Sequence, residues 1–315
     1  KVKTTAMILY GIYVVFTVIE IIALLIAGMP LFDSMTLTFG TVGTGGFGLL
    51  NSSIASYSTA VQIIITVFMI ICSINFTVYY MFLIKRPKEA LMCEEMRYYL
   101  LIVFGSALLI AFNIRASFAS FGKAFQQAIF QVASVISTTG FATADFNLWP
   151  EFSRMILVLL MFVGACAGST GGGFKVSRLI IMVKSVRNEI MSVTHPRSVQ
   201  KVHMDGRRIP DNVVKTVLCY LAGYVVILIV SVLLISLDNF DMTTNFTAVM
   251  ATFNNVGPGL NRVGPTGNFG GFSVLSKLVL MFDMLVGRLE LYPMLVIFAP
   301  GLWRIHPHRH VGKVQ

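Results

Sequence analysis

Charge is the scarcest property of this sequence. Of its 315 residues only 12% are Asp, Glu, Lys or Arg, 56% are hydrophobic, and the mean hydropathy is +0.80. A soluble domain carries about a quarter of its residues charged. That shortfall excludes a soluble globule and defines an integral membrane protein. Cysteine is also sparse. Cys72, Cys93, Cys166 and Cys219 are scattered without ligand spacing, which excludes a disulfide framework and a cysteine metal site. Titratable groups within the apolar runs are too few and too dispersed to converge as acid, base and nucleophile, so an enzyme is not expected. Nothing reads as a soluble nucleotide fold, so no cofactor is expected on this chain. No signal peptide is visible, and the chain opens on Lys1-Val2-Lys3-Thr4 without an initiator methionine, as a portion of a longer chain would. The net charge of +10 fits cytoplasmic loops rather than a nucleic-acid surface.

What is present is a recurring pattern. Apolar runs at 9–29, 60–83, 98–112, 155–182, 213–237 and 275–299 read as spans, since about 20 residues cross a bilayer as a helix. Shorter runs at 31–40, 121–136 and 243–254 do not span and are read as pore helices. Each leads into a polar loop with glycine. The fullest loop is Ser137-Thr138-Thr139-Gly140-Phe141-Ala142-Thr143-Ala144-Asp145-Phe146. The others are Thr41-Val42-Gly43-Thr44-Gly45-Gly46-Phe47 and Asn254-Asn255-Val256-Gly257-Pro258-Gly259. A dehydrated monovalent cation needs its water replaced by oxygens, and rings of backbone carbonyls do this without a full charge. Glycine permits the positive φ that aims successive carbonyls at one axis. Irregular backbone at membrane depth is tolerated where it is buried or lines a cavity. A glycine-rich external turn would explain one such loop; three in the same setting favour re-entrant pore helices.

The fold class is therefore all-α, built from span, re-entrant pore helix and span. The units expected are 1–95, 96–185 and 213–315, with a cytoplasmic basic linker at 186–212. Gly45, Gly140 and Gly257 are paired as equivalent, at spacings of 95 and 117 residues. Each unit returns the chain to its starting side. Lys85-Arg86-Pro87-Lys88, the basic stretch 175–215 and both termini then share the cytoplasmic face. Asp33 or Ser34 is expected to cap the first pore helix, and Asp241 or Thr243 the third.

Several residues carry two readings. Glu20, an acid inside a span, is either functional or a structural acid at a helix interface. The glycine-rich break at 164–173 is either a movable obstruction or a site of close helix packing. Arg288 either faces a pore or pairs with Asp283 or Glu290, although neither spacing shares a helix face well. Asp145 either concentrates cations or caps the following turn. His306, His308 and His310 belong to a basic tail with Arg304, Arg309 and Lys313 rather than to a metal site.

Five motifs in order resemble the Trk/Ktr/HKT superfamily of potassium transporters, most closely its bacterial Trk-type membrane subunit. They are the three loops above, Gly168-Ser169-Thr170-Gly171-Gly172-Gly173-Phe174-Lys175, and Gly287-Arg288-Leu289-Glu290-Leu291-Tyr292-Pro293. The resemblance covers essentially the whole chain. It implies four units around a pseudo-fourfold, channel-like pore in the plasma membrane. Three are visible here and match the second to fourth; the first is absent, so this stretch alone is not expected to conduct selectively. It implies potassium held by backbone carbonyls at Val42, Gly43, Thr44 and Gly45, at Thr138, Thr139 and Gly140, and at Asn255, Val256 and Gly257. It implies a gate made of Gly168, Ser169, Thr170, Gly171, Gly172 and Gly173, with Arg288 as an electrostatic barrier. It also implies a homodimer surrounded by membrane lipid, on a cytosolic ring of nucleotide-binding regulatory subunits that would carry the ATP or NAD. The alternatives are proton- or sodium-coupled symport, which Glu20 favours, and a non-conducting assembly subunit.

Overall fold

The computed structural model describes residues 2–195, 200–289 and 291–297. Glu290, Arg197 and the tail with Arg304, His306, His308, Arg309, His310 and Lys313 lie outside them.

Helices account for nearly all the regular structure. The first group is α1 (Val2–Ile26), α2 (Leu31–Val42), α3 (Thr59–Cys72), α4 (Phe76–Leu83) and α5 (Pro87–Leu91). Then come α6 (Glu94–Ile114), α7 (Phe121–Ile136), α8 (Glu151–Val163) and α9 (Val176–Thr194). A two-stranded antiparallel hairpin, β1 (His203–Met204) and β2 (Arg207–Arg208), precedes α10 (Asp211–Ile235). The chain continues through α11 (Met242–Phe253), α12 (Val274–Leu289) and α13 (Leu291–Ile297).

Three described helices are long and apolar enough to cross a membrane: α1, α6 and α10. Their apolar side chains point outward; Leu101 is 67% exposed and Leu233 is 64% exposed. Polar groups are instead buried, among them Glu20, Glu95, Gln131, Thr138 and Asp283. This inversion suits a hydrocarbon surround. The short helices sit at the centre: α2 packs on α1 and α3, α7 on α6 and α8, and α11 on α10 and α12. At 12 residues, α2 and α11 rise about 18 Å, well short of a bilayer core of about 30 Å.

Helix starts follow capping chemistry. Ser120 accepts from the Lys123 N–H at 3.3 Å and starts α7. Asp241, not Thr243, caps α11, accepting from the Thr244 N–H at 2.9 Å and the Thr244 hydroxyl at 2.6 Å. Hydrogen bonding from the Thr244 hydroxyl is the first cause holding the Asp241 carboxyl below its ordinary range. Neither Asp33 nor Ser34 caps α2. Pro30 occupies that position, and Asp33 instead accepts from the Tyr57 hydroxyl at 3.0 Å.

Two other expectations are corrected. The run 60–83 is not one helix: α3 and α4 are bent by 87°, because Asn75 accepts from the Thr77 N–H at 2.9 Å and starts a new helix. The stretch 186–212 is not all linker, because α9 continues through Thr194 and the hairpin follows. Asp205 and Gly206 turn that hairpin at φ of 51° and 73°, the left-handed pair a two-residue turn requires.

Candidate ion-coordinating site

The loops after α2, α7 and α11 repeat one hydrogen-bond pattern. The N–H groups of Gly45 and Gly46 both reach the Gly40 carbonyl, at 2.8 and 3.1 Å. Those of Thr139 and Gly140 reach Ser134 at 3.0 and 3.2 Å, and those of Val256 and Gly257 reach Ala251 at 2.8 and 3.4 Å. Each loop opens with a left-handed residue: Thr44 at φ 51°, Thr138 at 59° and Asn255 at 57°. Such conformations cost about 1–3 kcal/mol in residues other than glycine and persist where the surroundings impose them.

This pattern corrects the register read from sequence. Gly46, not Gly45, is the counterpart of Gly140 and Gly257. Gly45 matches Thr139 and Val256, whereas Val42 is the last residue of α2 and Gly43 follows as its cap. Because the loop N–H groups turn back onto their own helices, the carbonyls of Gly45, Thr139 and Val256 accept no hydrogen bond among the described residues.

The loops touch in sequence. A Cβ added to Gly46 would fall on the Thr139 carbonyl, and one added to Gly140 would fall on the Val256 carbonyl. One added to Gly257 would meet nothing within 4 Å. The three loops thus form an arc with one open flank. They share a cavity of about 810 Å³, lined by residues 43–47, Thr139, Gly140 and residues 255–258, and also by Lys277 and Arg288. Asp145 accepts from the Asn147 N–H at 3.0 Å and the Thr266 hydroxyl at 3.2 Å. It caps the turn after the second loop.

The glycine-rich segment 164–175 lies against the arc. It is an excursion between α8 and α9 whose ends close on each other: Phe174 N–H donates to Phe162 O at 3.1 Å and Lys175 N–H to Val163 O at 3.0 Å. Its middle bonds to several of the surrounding elements. The Gly172 N–H donates to Thr138 Oγ1 at 2.6 Å. The Thr170 carbonyl accepts from Arg288 Nη1 at 3.0 Å and lies 2.9 Å from Thr44 Oγ1, whose single proton it shares with the Gly43 carbonyl at 2.8 Å. Cys166 N–H donates to Ser73 O at 3.0 Å, and Phe76 N–H to Gly168 O at 3.1 Å. The break between α3 and α4 and the glycine-rich excursion therefore satisfy each other's backbone, as irregular structure at membrane depth requires. Side chains would not fit: a Cβ on Gly172 would lie 2.6 Å from the Asn254 carbonyl.

A second cavity of about 300 Å³ lies along the segment, lined by residues 168–173, Lys175, Tyr220, Gly287 and Arg288. Arg288 lines both cavities. Asp283 is buried and accepts from Ser231 Oγ at 2.8 Å, so its recorded partner is Ser231 and not Arg288. Glu95 was not anticipated. Its Oε1 accepts from the Ala167 N–H at 2.7 Å and the Ser177 N–H at 3.1 Å. Glu20 is fully buried, and neither of its oxygens has a hydrogen-bond partner among the described residues.

The fold and the site define a class: a mostly helical membrane protein in which short buried helices present matched carbonyl-bearing loops to one cavity. The family model described as TrkH, cation transport protein, matches residues 1–305, and the chain belongs to that family. The Trk system potassium uptake protein TrkH of Salmonella typhimurium is 34% identical over 96% of this chain and 63% of its own length. The Trk system potassium uptake protein TrkG of Escherichia coli is 30% identical over 89% of this chain and 58% of its own. The crystal structure of the potassium transporter TrkH from Vibrio parahaemolyticus superposes with a TM-score of 0.88 at 34% identity, covering 96% of this chain and 65% of that one. The chain thus spans less than two thirds of the length of these relatives.

Proposed function

We propose that this protein serves potassium uptake across the plasma membrane, with the three loops as three sides of a carbonyl-lined filter. The observation that carries this reading is the single hydrogen-bond register shared by the three loops, which leaves Gly45, Thr139 and Val256 with free carbonyls beside one cavity. The names of the relatives supply the ion. Potassium is coordinated by carbonyls within Val42–Gly45, Thr138–Gly140 and Asn255–Gly257, with Gly46 added by the register. The open flank at Gly257 supports a fourth loop, supplied by a further unit of the polypeptide or by another chain. The membrane units are 1–95, 96–185 and 213–315, and their termini are cytoplasmic.

Segment 168–173 is the gate, and Arg288 the electrostatic barrier it holds. A guanidinium between two cavities repels a passing cation. The protein works as a homodimer with a cytosolic nucleotide-binding regulatory subunit, which would hold ATP or NAD; the basic stretch 175–215 and the basic tail are docking surfaces for it.

Potassium and sodium uptake in uptake-deficient cells tests the reading, for this stretch alone, for the full-length gene product and for its Gly140→Ser variant. Selective uptake by the full-length product alone, weakened by Gly140→Ser, is expected. Selective conduction by residues 1–315 alone would refute a fourth side supplied by a further unit of the polypeptide and would leave only copies of this chain to complete one another's pore. A second reading, proton- or sodium-coupled symport, is favoured by the buried, unpartnered Glu20. It requires Glu20→Gln to flatten the dependence of flux on external pH; an unchanged profile removes it.

A further inference from the structure

Glu95 and Glu94 sit side by side at the start of α6, yet they face different partners. Glu95 is 3% exposed. Its Oε1 takes two N–H groups from opposite flanks of the glycine-rich segment: Ala167, inside the excursion, and Ser177, in the first turn of α9. Its Oε2 accepts from Asn75 Nδ2 at 3.4 Å, the residue that starts α4 after the bend. One carboxyl group therefore ties together the excursion, the helix after it and the broken helix against which it rests. For Ser177 it does what a capping side chain does from within the same chain segment, satisfying an N–H that the helix cannot use.

Glu94 faces the hairpin. Its backbone N–H donates to Asp205 Oδ1 at 2.7 Å, so the hairpin turn caps α6. Its carboxylate pairs with Lys184 of α9, and Lys184 also donates to the His203 carbonyl at 2.7 Å. Asp205 is exposed. A load on the hairpin thus reaches the first residue of α6, and the next residue holds the segment.

We infer that Glu95 is the positioning residue that latches segment 164–175 in its seated arrangement, and that the 203–208 hairpin sets this latch through Asp205 and Glu94. The inference rests on the proposed role of the segment as a gate, but its principal test does not depend on transport. Cys166 is buried and adjoins Ala167, so it reports whether the segment is seated.

The full-length protein in membranes is exposed to N-ethylmaleimide, and labelling of the Cys166 peptide is followed by mass. Glu95→Ala removes all three hydrogen bonds, from Ala167, Ser177 and Asn75, and is expected to raise the labelling rate about tenfold, the scale of losing hydrogen bonds to a carboxylate acceptor. Glu95→Gln keeps an acceptor oxygen in place and should stay within about twofold of the parent. Asp205→Ala, on the exposed hairpin, is expected to raise the rate about threefold. Labelling of Glu95→Ala at the parent rate, or of Glu95→Gln as fast as Glu95→Ala, overturns the latch. Parent-like labelling of Asp205→Ala overturns its control by the hairpin. If Glu95→Ala does not accumulate in membranes, Glu95→Asp replaces it: its shorter side chain cannot hold both N–H groups, and unchanged labelling overturns the latch in the same way. Resting rubidium flux is measured alongside and should rise in Glu95→Ala with its potassium-over-sodium preference intact. A parent that labels as expected but carries no potassium would remove the proposed function and leave the latch standing.

Discussion

The arc of loops and the glycine-rich segment are both irregular backbone enclosed by helices, and they are satisfied in opposite ways. Each loop of the arc closes on its own helix: Gly40, Ser134 and Ala251 each take two N–H groups from residues five and six positions later. Beyond the bonds that close its own ends, the segment borrows partners from elsewhere, from Ser73, Phe76, Glu95, Thr138 and Arg288. Local closure makes a shape that survives the movement of its neighbours. Borrowed closure makes one that persists only while those neighbours stay in place. The proposed coordinating site and the proposed gate call for these two solutions respectively.

The largest expected effect comes from striking the arc. At Gly140 a serine Cβ would overlap the Val256 carbonyl at a φ of 84°. With a strain of about 1–3 kcal/mol, Gly140→Ser should lower the potassium-to-sodium flux ratio roughly tenfold or more, and Gly46→Ala should do the same through Thr139. Next comes the segment. Arg288→Ala removes a charge and a hydrogen bond to Thr170, and should raise resting flux several-fold while the ion preference holds, as ion-substitution flux assays can check. Thr138→Val is a finer test because Thr138 belongs to both regions. It leaves the buried Gly172 N–H without its acceptor, at about 1–3 kcal/mol, yet leaves the Ser134 closure untouched. Its effect should fall on resting flux and not on selectivity; a loss of selectivity as large as that of Gly140→Ser would break the distinction. The smallest effect is Asp241→Ala, which removes the cap of α11 and should cost about 1 kcal/mol of stability, read as a lowered Tm. Because its carboxyl is held below the ordinary range, the cap contributes fully above that range and is lost as pH falls through the lowered value. The Tm difference between parent and variant should therefore shrink in acid.

The sequence made the arc more legible than the segment for the same reason. The bounds of α7, 121–136, follow from Ser120, an apolar run and the polar Ser137, all local signals, and the Asp241 cap is equally local. The bend between α3 and α4 has no such signal, since Ser73-Ile74-Asn75 interrupts an apolar run only slightly. What stabilises the break is Cys166 and Gly168, about 90 residues away in the chain, far beyond any helical periodicity. The register of the first loop slid by one because Gly43, Gly45 and Gly46 offer several equivalent glycines, and only the bonds to Gly40 choose among them. Glu95 reads in sequence as an ordinary acid in the first turn of a helix; its role exists only once Ala167 and Ser177 are brought to it.

The Thr170 carbonyl, where Thr44 and Arg288 meet, bears on how current through a single pore would look in time. A carbonyl oxygen has two lone pairs; here the guanidinium donates to one, and the Thr44 hydroxyl, whose single proton also faces the Gly43 carbonyl at 2.8 Å, stands at the other. Both donors meet at this one atom, and when it moves the guanidinium loses this acceptor while the Thr44 proton turns to Gly43. Withdrawal of that atom frees the two together. The proposed pore should therefore switch in discrete steps between silent and conducting levels, with few intermediate currents, and Thr44→Val should blur those steps without abolishing either level.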